Sequence, residues 1–239
     1  MFFWDTTYIL YMLPGILLTL LAQLWVNSTY NKWSKVASSA AVTGAQAADR
    51  LLGLIGMPGV SVEPAQGRLG DHYDPRTKTL RLSPGVGNGQ SVAALAITAH
   101  EIGHAQQDAE GYGPMRLRSA LVPAVNIGSN LGIWMILGGL LLQSFLGTQL
   151  ATQIAWLGVI FFASGAVFAL ATLPVELDAS RRAHELLQRS GLLTARREQD
   201  GARSVLRAAA FTYVAGLAAA ILQLLYFVSI VGGVGRRRS

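Results

Sequence analysis

The sequence predicts a mainly α-helical membrane protein in which about four transmembrane helices accompany a small α+β unit, and three observations predict it. The first is composition. Of the 239 residues 51% are hydrophobic and only 13% are charged, too apolar and too sparsely charged for an ordinary soluble domain. The second is the presence of four apolar stretches, each long enough, at about 1.5 Å per residue, to cross the hydrocarbon core of a bilayer. The third is a polar stretch, residues 28–118, whose patterning switches between strand and helix periods around His100-Glu101-Ile102-Gly103-His104. The net charge of +6 could suggest nucleic acid. Here the basic residues follow the ends of apolar segments, as membrane topology requires, so the bilayer is the expected partner and nucleic acid is not. The chain has no cysteine, which leaves His, Asp and Glu as its strong metal ligands.

Taken in order, residues 1–27 read as the first transmembrane helix. The apolar run 7–26 is preceded by no Lys or Arg and followed by no small-x-small cleavage site, so a retained helix is expected rather than a signal peptide, with Pro14-Gly15 as its kink. Residues 28–119 form the α+β unit. Within it 38–55 reads as a helix, with Ala41, Ala45, Ala48, Leu52 and Ile55 at helical spacing and Gly56 as the stop. Residues 60–62 read as a short strand, 71–77 as a turn containing His72 and Tyr73, and 78–82 as a half-buried strand by its polar/apolar alternation. The glycine-rich loop 85–89 lacks the Gly-Lys-Ser/Thr of a phosphate cradle. Ser91 then caps a helix to about Ala109, too short and too polar in its last turns to span a membrane. Residues 120–173 read as a transmembrane hairpin and 174–208 as a second polar stretch, where Pro174 opens a new helix. Residues 209–239 read as a fourth transmembrane segment and basic C-terminus.

The chemistry concentrates at His-Glu-x-x-His. Four residues apart on a helix, His100 and His104 share a face, so both imidazoles can reach one ion. Zinc is the expected metal, one Zn²⁺ per chain, since a catalytic zinc takes three protein ligands and keeps a fourth position open. Glu101, beside the ligand face, can take a proton from the attacking water and return it to the leaving amine. A polar helix patch would explain two histidines and a glutamate equally well. Against that stands the concentration of two of the chain's four histidines in one motif, inside an otherwise apolar run.

Topology says where a third ligand can come from. Two predicted spans separate His104 from Glu176 and Asp178, so both polar stretches emerge on one side and can build one site. Nine of the 19 Lys and Arg lie between Lys32 and Arg118 and seven between Arg181 and Arg207, which by the positive-inside rule places both stretches in the cytoplasm. Arg236, Arg237 and Arg238 run against this asymmetry if the fourth segment crosses fully. Glu176 is the favoured third ligand. Ser180, one turn on, shares its face and is placed to orient the carboxylate. Asp178 points about 160° away and is the alternative ligand or an ion-pair partner of Arg181 or Arg182. Glu110, six residues after His104, is a third option that lacks the turn-forming glycine its class needs, because residue 107 is Gln. His72, Tyr73, Tyr112 and His184 are candidates to stabilise the oxyanion. Leu80, Arg81, Leu82 and Ser83 are the candidate edge strand for holding an extended peptide substrate.

Together, the His100–His104 motif, Gly70-Asp71-His72-Tyr73-Asp74-Pro75, Leu80-Arg81-Leu82-Ser83-Pro84, the 176–183 segment and Val205-Leu206-Arg207-Ala208-Ala209-Ala210 resemble the bacterial neutral zinc metallopeptidase family of the YugP type. The resemblance covers nearly the whole chain. It implies a multi-pass peptidase of the bacterial cell (inner) membrane with a zincin-like unit and a zinc site of the gluzincin kind, in which His100, His104 and Glu176 are ligands and Glu101 is the acid/base. Gluzincins place Asp four residues after the ligand Glu, where this chain has Ser180.

The reading that follows is a membrane-integral zinc metalloendopeptidase acting on protein or peptide substrates, membrane proteins among them, at the cytoplasmic membrane surface. One competitor is an intramembrane site-2-type protease with Asp178 as third ligand, which needs a spanning helix around His100. Another is a membrane scaffold with a structural zinc, to which Glu101 would be superfluous. Small residues in the spans, such as Gly132, Gly139 and Gly158, allow close helix packing within one chain or with an oligomeric or regulatory partner.

Overall fold

The computed structural model describes residues 6–67 and 70–236. Arg237 and Arg238 of the expected basic C-terminus lie outside them, as do residues 1–5 of the first segment. The elements run α1 (Thr6–Trp33), α2 (Gly44–Leu54), β1 (Ser61–Pro64), β2 (His72–Asp74), β3 (Thr79–Leu82), α3 (Pro84–Gly87), α4 (Val92–Ala109), α5 (Gly113–Leu146), α6 (Gln149–Ser190) and α7 (Arg196–Arg236). The protein is thus mainly helical with one small sheet, and α1, α5, α6 and α7 are each long and apolar enough to cross a membrane. The chain divides into two compact units. One takes the residues up to Leu21, Arg116–Leu173 and those from Tyr213; the other takes Ala22–Met115 and Pro174–Thr212.

The first unit is built of apolar helix. Its buried centre is Ile136, Val159, Tyr226, Phe227 and Val231, with Tyr8 edge-on to Tyr226 at 5.4 Å. Helices α5 and α6 approach so closely that a Cβ on Gly132 would meet the Phe162 backbone nitrogen at 2.5 Å, and one on Gly139 that of Ala155 at 2.6 Å. These glycines therefore serve packing within the chain, where backbone contact replaces the hydrophobic drive that lipid does not supply. Large apolar side chains such as Leu10, Trp134, Phe145 and Ile160 stand exposed, as expected of surfaces that meet lipid rather than water.

The second unit holds the sheet and α4. The strand order is β1-β3-β2, with β1 parallel to β3 (Ser61↔Thr79 to Pro64↔Leu82) and β2 antiparallel to it (Tyr73↔Leu80). This corrects one expectation. Leu80, Arg81 and Leu82 form the central strand, paired on both sides, so the stretch Leu80–Ser83 is no edge for a substrate. Alternation reports that a strand has one buried face and says nothing of how many neighbours it has. His72 and Tyr73 lie in β2 rather than in the turn, which is confined to residues 75–78. There Asp74 accepts from the Arg76 N–H at 2.9 Å and from the Thr77 hydroxyl at 3.0 Å.

Four helix boundaries also differ from expectation. Helix α2 starts at Gly44, because Thr43 and Gln46 close a reciprocal cap there, and residues 38–43 are loop. The 85–89 loop begins as the short helix α3. Helix α6 passes through Pro174 without ending. A proline inside a helix removes one backbone donor and crowds the preceding turn, a local loss that a long helix with partners on both sides absorbs. Similarly, α7 is continuous from the polar 196–207 segment into its apolar part. Ser91 caps α4 as expected, its hydroxyl accepting from the Ala94 N–H at 3.2 Å.

Candidate metal centre

Helix α4 sets the first two groups. The His100 and His104 rings stack one turn apart, centroids 4.8 Å from each other and nearly perpendicular. The third group depends on how closely α6 can approach. A Cβ on Gly103 would lie 2.6 Å from the Ala179 carbonyl oxygen, so only glycine fits between the two histidines' turns, and Ala179 and Ala183 are fully buried against that side. This contact delivers Glu176. Its Oε2 lies 3.3 Å from His100 Nε2 and 3.6 Å from His104 Nε2. One ligand atom from each of the three residues falls within 4.8 Å of the others.

The donor set fits zinc: two imidazole nitrogens and one carboxylate oxygen are a ligand combination of catalytic zinc sites. Burial supports the fit. Glu176 is 2% exposed, and a carboxylate buried that deeply is stabilised by positive charge beside it, of the kind a metal cation would supply. Burial would also drive the proton off His104. The Glu176 carboxylate, with Glu101 and Gln107, outweighs that and holds the His104 pKa above its ordinary value. The pocket is built to hold positive charge.

The neighbouring residues sort by what they touch. Glu101 is nearly buried, and its Oε2 accepts the Tyr73 backbone N–H at 3.1 Å, which ties the carboxylate to β2. The Tyr73 hydroxyl points elsewhere, donating to Asp108 at 2.8 Å; burial and that carboxylate push the phenol pKa up, so the proton stays on its oxygen. His72 is exposed, and its Nδ1 lies 2.7 Å from the Gly70 carbonyl. That carbonyl can only accept, so neutral His72 carries its proton on Nδ1 and leaves a lone pair on Nε2. Ser180 Oγ lies 3.3 Å from His100 Nδ1, so it supports the histidine rather than the Glu176 carboxylate expected from sequence. Asp178 accepts from Gln107 at 3.0 Å and from Arg181 and Arg182 at 2.6 Å each. Glu110 pairs with Arg182 at 2.7 Å, which holds its carboxyl below the usual range, and Tyr112 has the same guanidinium 5.8 Å from its ring centre. His184 lies 2.8 Å from Arg203.

Sequence reasoning passed over Gln107. It is fully buried, and its amide donates to the Val175 carbonyl at 2.8 Å and to Asp178, while its oxygen lies 3.0 Å from His104 Nδ1. A signal was present. Three residues after His104, Gln107 shares the histidine's helical face, where a polar side chain in an apolar helix needs a partner.

The sequence has relatives among known proteins. The sequence matches the family described as "Putative neutral zinc metallopeptidase" over residues 8–232. It is 42% identical over 209 residues to "Putative membrane protease YugP" of Bacillus subtilis (strain 168), covering 87% of this chain and 89% of that one. No solved structure is detectably similar. A match that takes in all four long helices, both segments that build the His100, His104 and Glu176 cluster, and the sheet beside it makes this chain a member of the neutral zinc metallopeptidase family.

Proposed function

We propose that this protein is a membrane-integral zinc endopeptidase. One Zn²⁺ would be held by His100, His104 and Glu176 in a gluzincin-like site at the cytoplasmic surface of the bacterial cell membrane. The observation that carries the reading is the convergence of these three side chains, with ligand atoms within 4.8 Å, beside a carboxylate that ligates nothing. A zinc ion there would supply Lewis acidity, polarising a peptide carbonyl and easing deprotonation of the attacking water. The chain's own residues do the rest. Tyr73 N–H occupies Glu101 Oε2, so Oε1 takes the proton from the attacking water and passes it to the departing amine. The fixed backbone donor keeps that carboxylate aimed. Of the two edge strands, β2 is the one tied to Glu101, and it takes over from β3 as the strand along which an extended peptide would align.

The reading predicts about one zinc per chain in detergent-purified protein. Elemental analysis of Glu176→Ala beside the parent is the test. Loss of most of the zinc is expected; a variant that keeps it would remove Glu176 from the site.

A further inference from the structure

We infer that Gln107 is a positioning residue that fixes the tautomer of His104, so that Nε2 always presents its lone pair to the metal. The inference rests on the metal-site reading above and deepens it. The argument is an accounting of donors and acceptors. Gln107 is fully buried, and one end of its amide faces two groups, the Val175 carbonyl at 2.8 Å and the Asp178 carboxylate at 3.0 Å. The Val175 carbonyl can only accept, which by itself fixes the end of the amide that faces it, and the Asp178 carboxylate lies on the same side, paired with Arg181 and Arg182. The NH₂ must therefore point to them, and the amide oxygen must point the other way. That oxygen lies 3.0 Å from His104 Nδ1. An amide oxygen can only accept, so Nδ1 carries a proton, and the neutral, metal-binding form of the ring has its lone pair on Nε2, the nitrogen on the Glu176 side.

The two histidines differ in this respect. His100 Nδ1 faces the Ser180 hydroxyl at 3.3 Å, and a hydroxyl rotates to donate or accept, so it imposes no tautomer. Gln107 also gives the polar cluster of Arg181, Arg182 and Asp178 a role at the centre. The arginines hold the Asp178 carboxylate in place, Asp178 and the Val175 carbonyl orient the amide, and the amide orients the ligand. The Val175 carbonyl belongs to the residue before Glu176, so the same amide ties α4 to the turn of α6 that carries the third ligand.

The test compares Gln107→Met, which keeps shape and burial but cannot accept the hydrogen bond, with Gln107→Glu, which keeps an acceptor oxygen and loses the NH₂. Zinc affinity is read by chelator competition in the purified full-length protein, with His104→Ala as control. Gln107→Met is expected to weaken zinc about 10- to 100-fold, the usual range for losing a partner of a metal-bound histidine, and Gln107→Glu to recover most of that loss. The ¹⁵N spectrum of histidine-labelled, metal-free protein gives a second readout: the parent should show a protected Nδ1–H that Gln107→Met loses. Equal damage in both variants would mean the amide serves only as a tether between helices, and would overturn the inference. Parent-like zinc affinity in a folded Gln107→Met would overturn it too. If Gln107→Met does not fold, a Gln107→Glu protein that lacks the protected Nδ1–H overturns it, and one that retains it upholds it. Zinc retained by His104→Ala would instead sink the metal-site reading itself, and the inference with it.

Discussion

Helix α6 packs at close range on both sides of Pro174, and the two halves use that closeness for different ends. Before Pro174 it meets α5 through Gly158, where a Cβ would lie 2.6 Å from the nitrogen of Ile136, itself fully buried. Its outer side chains there, such as Ile160 and Leu170, are exposed and apolar. After Pro174 it meets α4 at Gly103 and Ala179, and what this contact encloses is a carboxylate and two imidazoles. The outward side chains are now Arg181 and Glu185, paired at 2.8 Å. Small residues bring helices together in both halves. The second half fills the space with ionisable groups, and each of those then needs a partner, which is why Gln107, Ser180 and Tyr73 N–H cluster there.

The sharpest way to test this contrast is Glu101→Gln. The amide keeps the shape and can still be held at Tyr73 but cannot carry the proton, so peptide hydrolysis should fall by about 10²- to 10⁴-fold while zinc per chain stays at the parent's level. Hydrolysis of a casein-type substrate followed beside elemental analysis separates the two; undiminished turnover would take Glu101 out of the chemistry.

A smaller effect is expected from Gly103→Ala. The added methyl meets the Ala179 backbone, which cannot rotate away, and overpacking of this kind costs about 1–3 kcal/mol. Because the strain falls between Glu176 and the histidines, zinc affinity should drop together with thermal stability. A drop in stability with no change in chelator competition would show that the close contact only packs the unit.

The smallest effect is expected in the apolar half. Trp134 is 71% exposed on α5, and Trp134→Leu keeps an apolar surface, so thermal stability in detergent should shift by no more than about 0.5 kcal/mol with zinc content unchanged. Loss of zinc in this variant would mean that the apolar unit does more for the site than its packing indicates.

What could be read from sequence was what local spacing encodes. The i, i+4 histidines, Ser91 as the cap of their helix and the four apolar runs each follow from one periodicity within one segment. Glu176 needed an additional step, the even number of spans between the two polar stretches. Asp178 was legible as an ion-pair partner, because Arg181 and Arg182 lie three and four residues away on its own helix.

Sequence alone determined the chemical inventory: which side chains offer metal-ligand atoms, which carboxylate stands beside them, and which segments are long and apolar enough to cross a membrane. Tertiary structure decided everything that depends on a second segment. It made β3 central by pairing it with β1, carried α6 through Pro174, turned Ser180 toward His100, and set Gln107 between His104 and the Val175 carbonyl. The physical reason is that hydrogen-bond direction and close backbone approach are properties of pairs of elements. A single run of residues carries its own period and caps but not the identity of the group across from it.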